Sequence, residues 1–328
     1  MSVAAVLLLA AAPAPRQEAA GGAVGQSARV VVPLVAADKE GRPLEDLRPE
    51  DLRVTLEGAE QKVVSLARAG EEPLRVAFML DASASQERVL PYARAAVEQF
   101  VSTSLRAGAD EAAVISFADG AKVVQPLTGD AAALRRAVAS VRFVAPPGYV
   151  RGGVVVGRPP RGAAANGPGS TALWDSLASA CEQVFAGAAG GRRVVVLVTD
   201  GVDTGSRSRS DAAVERLLLA GVAVYSVGVA DPGWFDPVDR GALRKVSERT
   251  GGRALFPKNE EYVGQSFERL ARELRSAYTL GLAPPAPGGA GTPQRLRVEI
   301  VNPELRRRGV ELAYPHVLAA GAQPPAPR

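Results

Sequence analysis

The chain has a single cysteine, Cys181, and a single histidine, His316. One cysteine excludes an intrachain disulfide. Together the two counts exclude a zinc site built on His and Cys, and leave a Ser-His-Asp triad no candidate but the near-terminal His316. Aromatic residues are only 5% of the 328, and no Lys/Arg stripe is interleaved with them, so a net charge of +4 does not point to nucleic acid. No segment is apolar for long enough to cross a bilayer as a helix. The run at residues 3–12 fits the core of a signal peptide, although no Lys or Arg precedes it and Pro15 follows the Ala12-Pro13-Ala14 cleavage option. No cysteine follows that run to carry a lipid anchor. Residues 1–27 are therefore read as a signal peptide or disordered tail, with export to the periplasm or extracellular space as the expectation.

What is present is a change of pattern at residue 74. Before it, residues 30–35 read as a strand that Pro33 marks as an edge. Residues 52–56 and 62–66 read as a hairpin around Glu57-Gly58. From 74 to 276, short apolar runs at 74–80, 194–198 and 222–229 alternate with amphipathic segments at 89–105, 131–141, 171–185, 210–220, 243–250 and 262–276. Apolar runs of that length suit strands buried on both faces. The alternation predicts an α/β fold with a doubly wound, mostly parallel sheet. Asp119-Gly120 predicts a hairpin between 112–117 and 121–125. After 276 the β pattern returns at 278–282, 295–301 and 309–313. Neither flank alone has enough strands for a stable sheet. The expected organisation is a β-sandwich from 28–71 plus 277–315, an α/β domain at 72–276 inserted in it, and a disordered tail at 316–328. The Gly/Pro-rich stretch 144–168, with Arg151, Arg158 and Arg161, reads as an unstructured insertion or a lid.

Three distant pieces carry hard oxygen donors. Asp81, Ser83 and Ser85 directly follow the run 74–80, Thr171 heads an amphipathic segment, and Asp200 directly follows the run 194–198. In doubly wound sheets ligands bind beyond the carboxyl ends of strands, so these positions can converge. Two carboxylates roughly neutralise a divalent ion, and three hydroxyls add neutral oxygens. Such a set suits Mg²⁺ first, with Mn²⁺ or Ca²⁺ as alternatives. Each residue also has a plainer reading, the hydroxyls as helix caps and the acids as turn residues. Asp203 is either an outer-sphere residue or a cap. Asp175 suits the positive end of a helix. Cys181 falls at core spacing with Trp174, Leu177, Ala178 and Phe185.

The D-x-S-x-S element at Asp81, Ser83 and Ser85, the separate Thr171, and Asp200 in Thr199-Asp200-Gly201 resemble a von Willebrand factor A domain with its metal-ion-dependent adhesion site. The resemblance covers about 72–276. The flanks are similar to a bacterial family related to such domains, through Asp38, Gly41-Arg42-Pro43, Leu47 and Asp51 before it and Tyr278-Thr279-Leu280-Gly281 after it. Ala84 and the 144–168 insertion depart from the pattern. The resemblance implies adhesion or complex assembly through a partner carboxylate, from Asp or Glu, that completes the cation's coordination, without catalysis. Two other functions stay open: a structural module with a vestigial site, and a Mg²⁺-dependent hydrolase using Asp81. The hydrolase lacks the second acid, since Ser83 stands there, and no separate general base is identifiable.

Overall fold

The computed structural model describes residues 30–145, 149–150, 154–155, 170–188, 190–231, 238–283 and 293–318. The signal-peptide reading of 1–27 and most of the 144–168 insertion lie outside them.

The leader holds β1 (Val30–Ala37), β2 (Leu52–Leu56), β3 (Ala59–Gln61) and β4 (Val63–Arg68). The middle begins with β5 (Leu74–Asp81), α1 (Leu90–Thr103), β6 (Glu111–Phe117), β7 (Ala121–Thr128) and α2 (Ala131–Ser140). The two-residue strands β8 (Tyr149–Val150) and β9 (Val154–Val155) follow, then α3 (Leu173–Phe185), β10 (Arg192–Thr199) and α4 (Ser210–Leu219). It ends with β11 (Val222–Gly228), α5 (Arg240–Thr250), β12 (Ala254–Leu255) and α6 (Val263–Arg275). The closing segment adds β13 (Tyr278–Leu282), β14 (Gln294–Ile300), α7 (Pro303–Arg307), β15 (Glu311–Ala313) and β16 (Val317–Leu318).

The central sheet has the order β12-β11-β10-β5-β6-β7, parallel except for the β6–β7 pair. Alternate residues of β5 enter opposite cores. Leu74, Val76, Phe78 and Leu80 meet α1, α2 and α6, whereas Ala77 and Met79 meet α3, α4 and α5. Burial on both faces is why this strand is an uninterrupted apolar run in the sequence. Strand order reverses between β5 and β10: β6 lies on one side of β5, and the chain later returns to β10 on the other. The carboxyl ends of β5 and β10 therefore bound a crevice.

The two flanks build two antiparallel four-stranded sheets, β15-β1-β13-β4 and β16-β14-β2-β3, each drawing strands from both ends of the chain. They share one core, with Val32, Leu34, Val54, Leu56, Leu280, Leu282, Leu296 and Val298 inside. Tyr278 Oη donates to Leu44 O at 2.9 Å and accepts from Leu47 N at 3.3 Å, closing the loop after β1 over the far flank.

Three readings from the sequence change. β1 is not an edge strand. β13 pairs along 30–34 and β15 along 35–37 on its other side, so Pro33 sits where β15 does not reach. The hairpin at Glu57-Gly58 pairs β2 with β3, while β4, which was expected to be its partner, crosses to the other sheet and pairs with β13. Residues 316–318, assigned to the tail, are ordered: β16 pairs with β14, and His316 O accepts from Leu296 N at 2.9 Å. The short helix α7 was not anticipated.

Candidate metal centre

Asp81 ends β5 and Asp200 follows the last residue of β10, the strand beside it in parallel register. Both carboxylates are buried, each with 2% of its residue surface exposed. Asp81 Oδ1 accepts from Ser83 N at 2.9 Å, and Oδ2 accepts from Thr199 Oγ1 at 2.6 Å. Asp200 Oδ1 accepts from Val202 N at 2.9 Å, and Oδ2 from Gln86 Nε2 at 3.1 Å. Each acid is thus held by one bond from its own turn and one from the neighbouring strand end.

The Asp-x-Ser-x-Ser segment leaves β5 extended at Ser83 and enters a one-turn 3-10 helix, Ala84–Gln86. This brings Ser83 Oγ and Ser85 Oγ to 3.3 Å of one another, both on buried residues. The hydroxyls make no side-chain cap of that turn. The plainer capping reading of this pair therefore finds no support at its own helix.

Thr171 joins the rim through backbone bonds. Its N–H donates to Thr204 Oγ1 at 2.8 Å, and its carbonyl accepts from Thr204 N and Gly205 N. The next residue, Ala172, donates to Ala118 O, and Ala82 donates to Phe117 O, so the turns after β5 and β6 and the start of α3 are tied together. Thr171 lies two residues before α3, and the cap of that helix is Asp203. Asp203 Oδ1 accepts from Leu173 N at 2.9 Å and from Ser206 Oγ at 2.5 Å. Ser206 Oγ in turn accepts from Trp174 N and Asp175 N. Asp203 is thus a helix cap reached from a neighbouring loop. Asp175 accepts from Arg207 N and Ser208 N, pinning that same loop. Cys181 is buried in the α3 face of the core, where burial pushes its thiol well above the ordinary range.

Thr199, Thr204, Ser206 and Gln86 were not singled out from sequence. Thr199 stood within the quoted Thr199-Asp200-Gly201 element, and a β-branched hydroxyl at the end of an apolar strand was the available signal. Gln86, one residue past the serine pair, carried none.

The donor set suits a hard divalent cation. Burial first, and the Asp200 charge second, push Asp81 up to about 7, against the opposing hydrogen bonds from Ser83 and Thr199. Two like charges held in one buried crevice are the arrangement a divalent cation relieves. Among the described residues no group of three or more His, Cys, Asp or Glu converges. Two carboxylates with hydroxyl oxygens fit Mg²⁺, Mn²⁺ or Ca²⁺ better than a softer metal.

Two family models, each described as a von Willebrand factor type A domain, match the chain at residues 76–202 and 162–269. No curated protein matches it. Among solved structures it is similar to proximal thread matrix protein 1 from the mussel byssus, at 19% identity and a TM-score of 0.50, over 66% of this chain and 49% of that one. The chain thus spans about half the length of the mussel protein. A structure of that same protein is described with a zinc-occupied MIDAS motif. A von Willebrand factor type A protein from Catenulispora acidiphila is similar at 14% identity and a TM-score of 0.48, over 91% of this chain and 75% of that one. The conserved hypothetical protein BatB from Bacteroides thetaiotaomicron is similar at 17% identity and a TM-score of 0.44, over 62% of this chain and 97% of that one. With both family models matching strands, helices and turns on either side of the crevice, this chain belongs to the von Willebrand factor type A family through its α/β portion.

Proposed function

We propose that the protein is a non-enzymatic binding module that holds a divalent cation, Mg²⁺ foremost, between Asp81, Ser83, Ser85, Thr171 and Asp200. The observation that carries this reading is the pair of buried carboxylates at the ends of adjacent parallel strands, beside two hydroxyls 3.3 Å apart. A bound cation supplies an electrophilic position that an Asp or Glu carboxylate of a partner protein completes. Asp81 and Asp200 balance the ion's charge without exceeding it. Ser83, Ser85 and Thr171 contribute neutral oxygens, which leave the ion attractive to an outside anion. The hydrolase reading needs a second acid where Ser83 stands and a separate general base, yet among the described residues no third His, Cys, Asp or Glu joins Asp81 and Asp200. That favours a docking role.

The sandwich from 28–71 plus 277–315 is assigned as the frame into which the 72–276 domain is inserted. The protein is assigned to an exported, periplasmic or extracellular setting. Among the described residues no helix is long and apolar enough to cross a membrane.

Calorimetric titration with Mg²⁺ and Mn²⁺ tests the reading. Wild type is expected to bind, and Asp200→Ala to lose binding. Capture of partners from the source organism is expected to require the cation and to fail with chelator. Absence of heat with either ion, and partner capture indifferent to Asp200→Ala, would leave a structural module instead.

A further inference from the structure

Gln86 stands outside the ligand set, yet it is among the most deeply buried polar residues of the rim, 1% exposed. Its Nε2 donates to Asp200 Oδ2 at 3.1 Å and to Val229 O at 3.2 Å. Both partners are acceptors only. Turning the amide over would set Oε1 against two oxygens, so the orientation is fixed by its neighbours. Oε1 is then left buried and has no hydrogen-bond partner among the described residues. A buried amide oxygen without a donor is costly, and native proteins keep one where something outside the bare chain completes it.

Water held on a divalent cation is such a donor. Its oxygen faces the metal and its protons face outward, toward acceptors that orient it. The Gln86 amide sits against the Asp200 carboxylate on one side and offers an unused acceptor on the other. We propose that Gln86 is a positioning residue of the cation site, fixing Asp200 through Nε2 and accepting a hydrogen bond from a cation-bound water through Oε1. This inference rests on the cation-binding reading above. It adds a function for a residue that the five-residue ligand pattern omits, and it makes the site's affinity depend on an uncharged amide. A purely structural Gln86 would instead only tie the turn after β5 to the end of β11 through Val229.

The test compares the full-length wild type with Gln86→Met and Gln86→Glu, by calorimetric titration with Mg²⁺ and with Mn²⁺, and by thermal unfolding of the metal-free proteins. Methionine matches the length of glutamine and removes both polar atoms; glutamate restores an acceptor at the same place. Gln86→Met is expected to bind the cation about 10–100-fold more weakly while still folding, with metal-free melting lowered because Asp200 Oδ2 and Val229 O lose their donor. Gln86→Glu keeps the acceptor and adds a charge that favours the cation but loses the donor to Asp200, so it is expected to bind within about tenfold of wild type and to melt lower when metal-free. Affinity of folded Gln86→Met within twofold of wild type overturns the proposal. So does Gln86→Glu being as weak as Gln86→Met, which denies the acceptor a role. Should Gln86→Met not fold, Gln86→Glu decides alone: affinity within about tenfold of wild type supports the proposal and a larger loss sinks it. A wild-type protein that binds neither ion fails at an earlier and separate point, and takes the cation reading with it.

Discussion

Thr199 Oγ1 donates a 2.6 Å hydrogen bond to Asp81 Oδ2, joining two residues 118 positions apart at the ends of neighbouring parallel strands. The same hydroxyl oxygen accepts from Gly201 N at 3.1 Å, so one fully buried side chain fixes both the acid after β5 and the turn after β10. Thr199→Val keeps the shape and deletes the bond. Leaving Asp81 Oδ2 without its buried donor is expected to cost about 1–3 kcal/mol in urea unfolding and about tenfold in cation affinity. Unchanged affinity beside lowered stability would confine Thr199 to the fold.

Asp81 also sets a pH dependence. Burial and Asp200 raise its folded value from 3.8 to about 7. A raised carboxyl binds its proton more tightly in the folded state than in the unfolded one, so its contribution to metal-free stability falls as pH rises between about 4 and 7. Asp81→Asn cannot lose a proton there. The variant's stability relative to metal-free wild type is therefore expected to increase across that window and to level off above it, in unfolding curves recorded with chelator. A difference that stays flat from pH 4 to 8 would show that the two acids do not repel as their burial implies.

The parts of this architecture legible in the sequence are those with a local cause. β5, β10 and β11 are apolar runs because both faces of the sheet are covered, and Asp81 and Asp200 stand out because they interrupt those runs at their ends. Pairing has no such local trace. The 62–66 alternation suits a partner for β2 as well as it suits β13, and only the shared core of the two flanks decides between them. Gln86 and Ser206 were hidden for the same reason. Their acceptors and donors lie on Asp200 and α3, so their roles exist only once separate strand ends meet.

Gly201 is a position where backbone conformation serves the site. Its φ is +82°, and a Cβ there would lie 2.8 Å from Leu243 Cγ and 3.1 Å from Asp239 O. Leu243 is fully buried on α5, and Asp239 N donates to Asp200 O at 2.8 Å. Gly201→Ala therefore meets both left-handed strain and a packed neighbour. A loss of about 2 kcal/mol is expected in urea unfolding, together with weaker cation binding as Asp200 shifts. Wild-type values for both would mean that the turn relaxes without moving the carboxylate.

Asp110 makes the opposite electrostatic case, at the other end of the sheet. Its side chain is fully buried and accepts from Leu74 N at 2.8 Å, Arg106 N at 2.7 Å and the Arg275 guanidinium. Burial alone would raise its pKa, but those donors outweigh burial and hold it below the ordinary 3.8. It thereby ties the start of β5 to the end of α6, beside the crossing into the flanking sheets. Asp110→Asn leaves Arg275, which is partly solvated and also donates to Ser104 O, without its charged partner, and the loss is expected to be about 1–3 kcal/mol at pH 7. For a carboxyl lowered by folding, the stabilisation is complete above the ordinary carboxylate range and is lost as pH falls through the folded value. The gap between wild type and Asp110→Asn is therefore expected to be widest at neutral pH and to narrow below about pH 4, the reverse of the trend at Asp81. Urea unfolding of both proteins at pH 7 and pH 3 measures it. An equal gap at the two pH values would mean that Asp110 acts through the shape of its hydrogen bonds, which asparagine cannot copy, rather than through its charge.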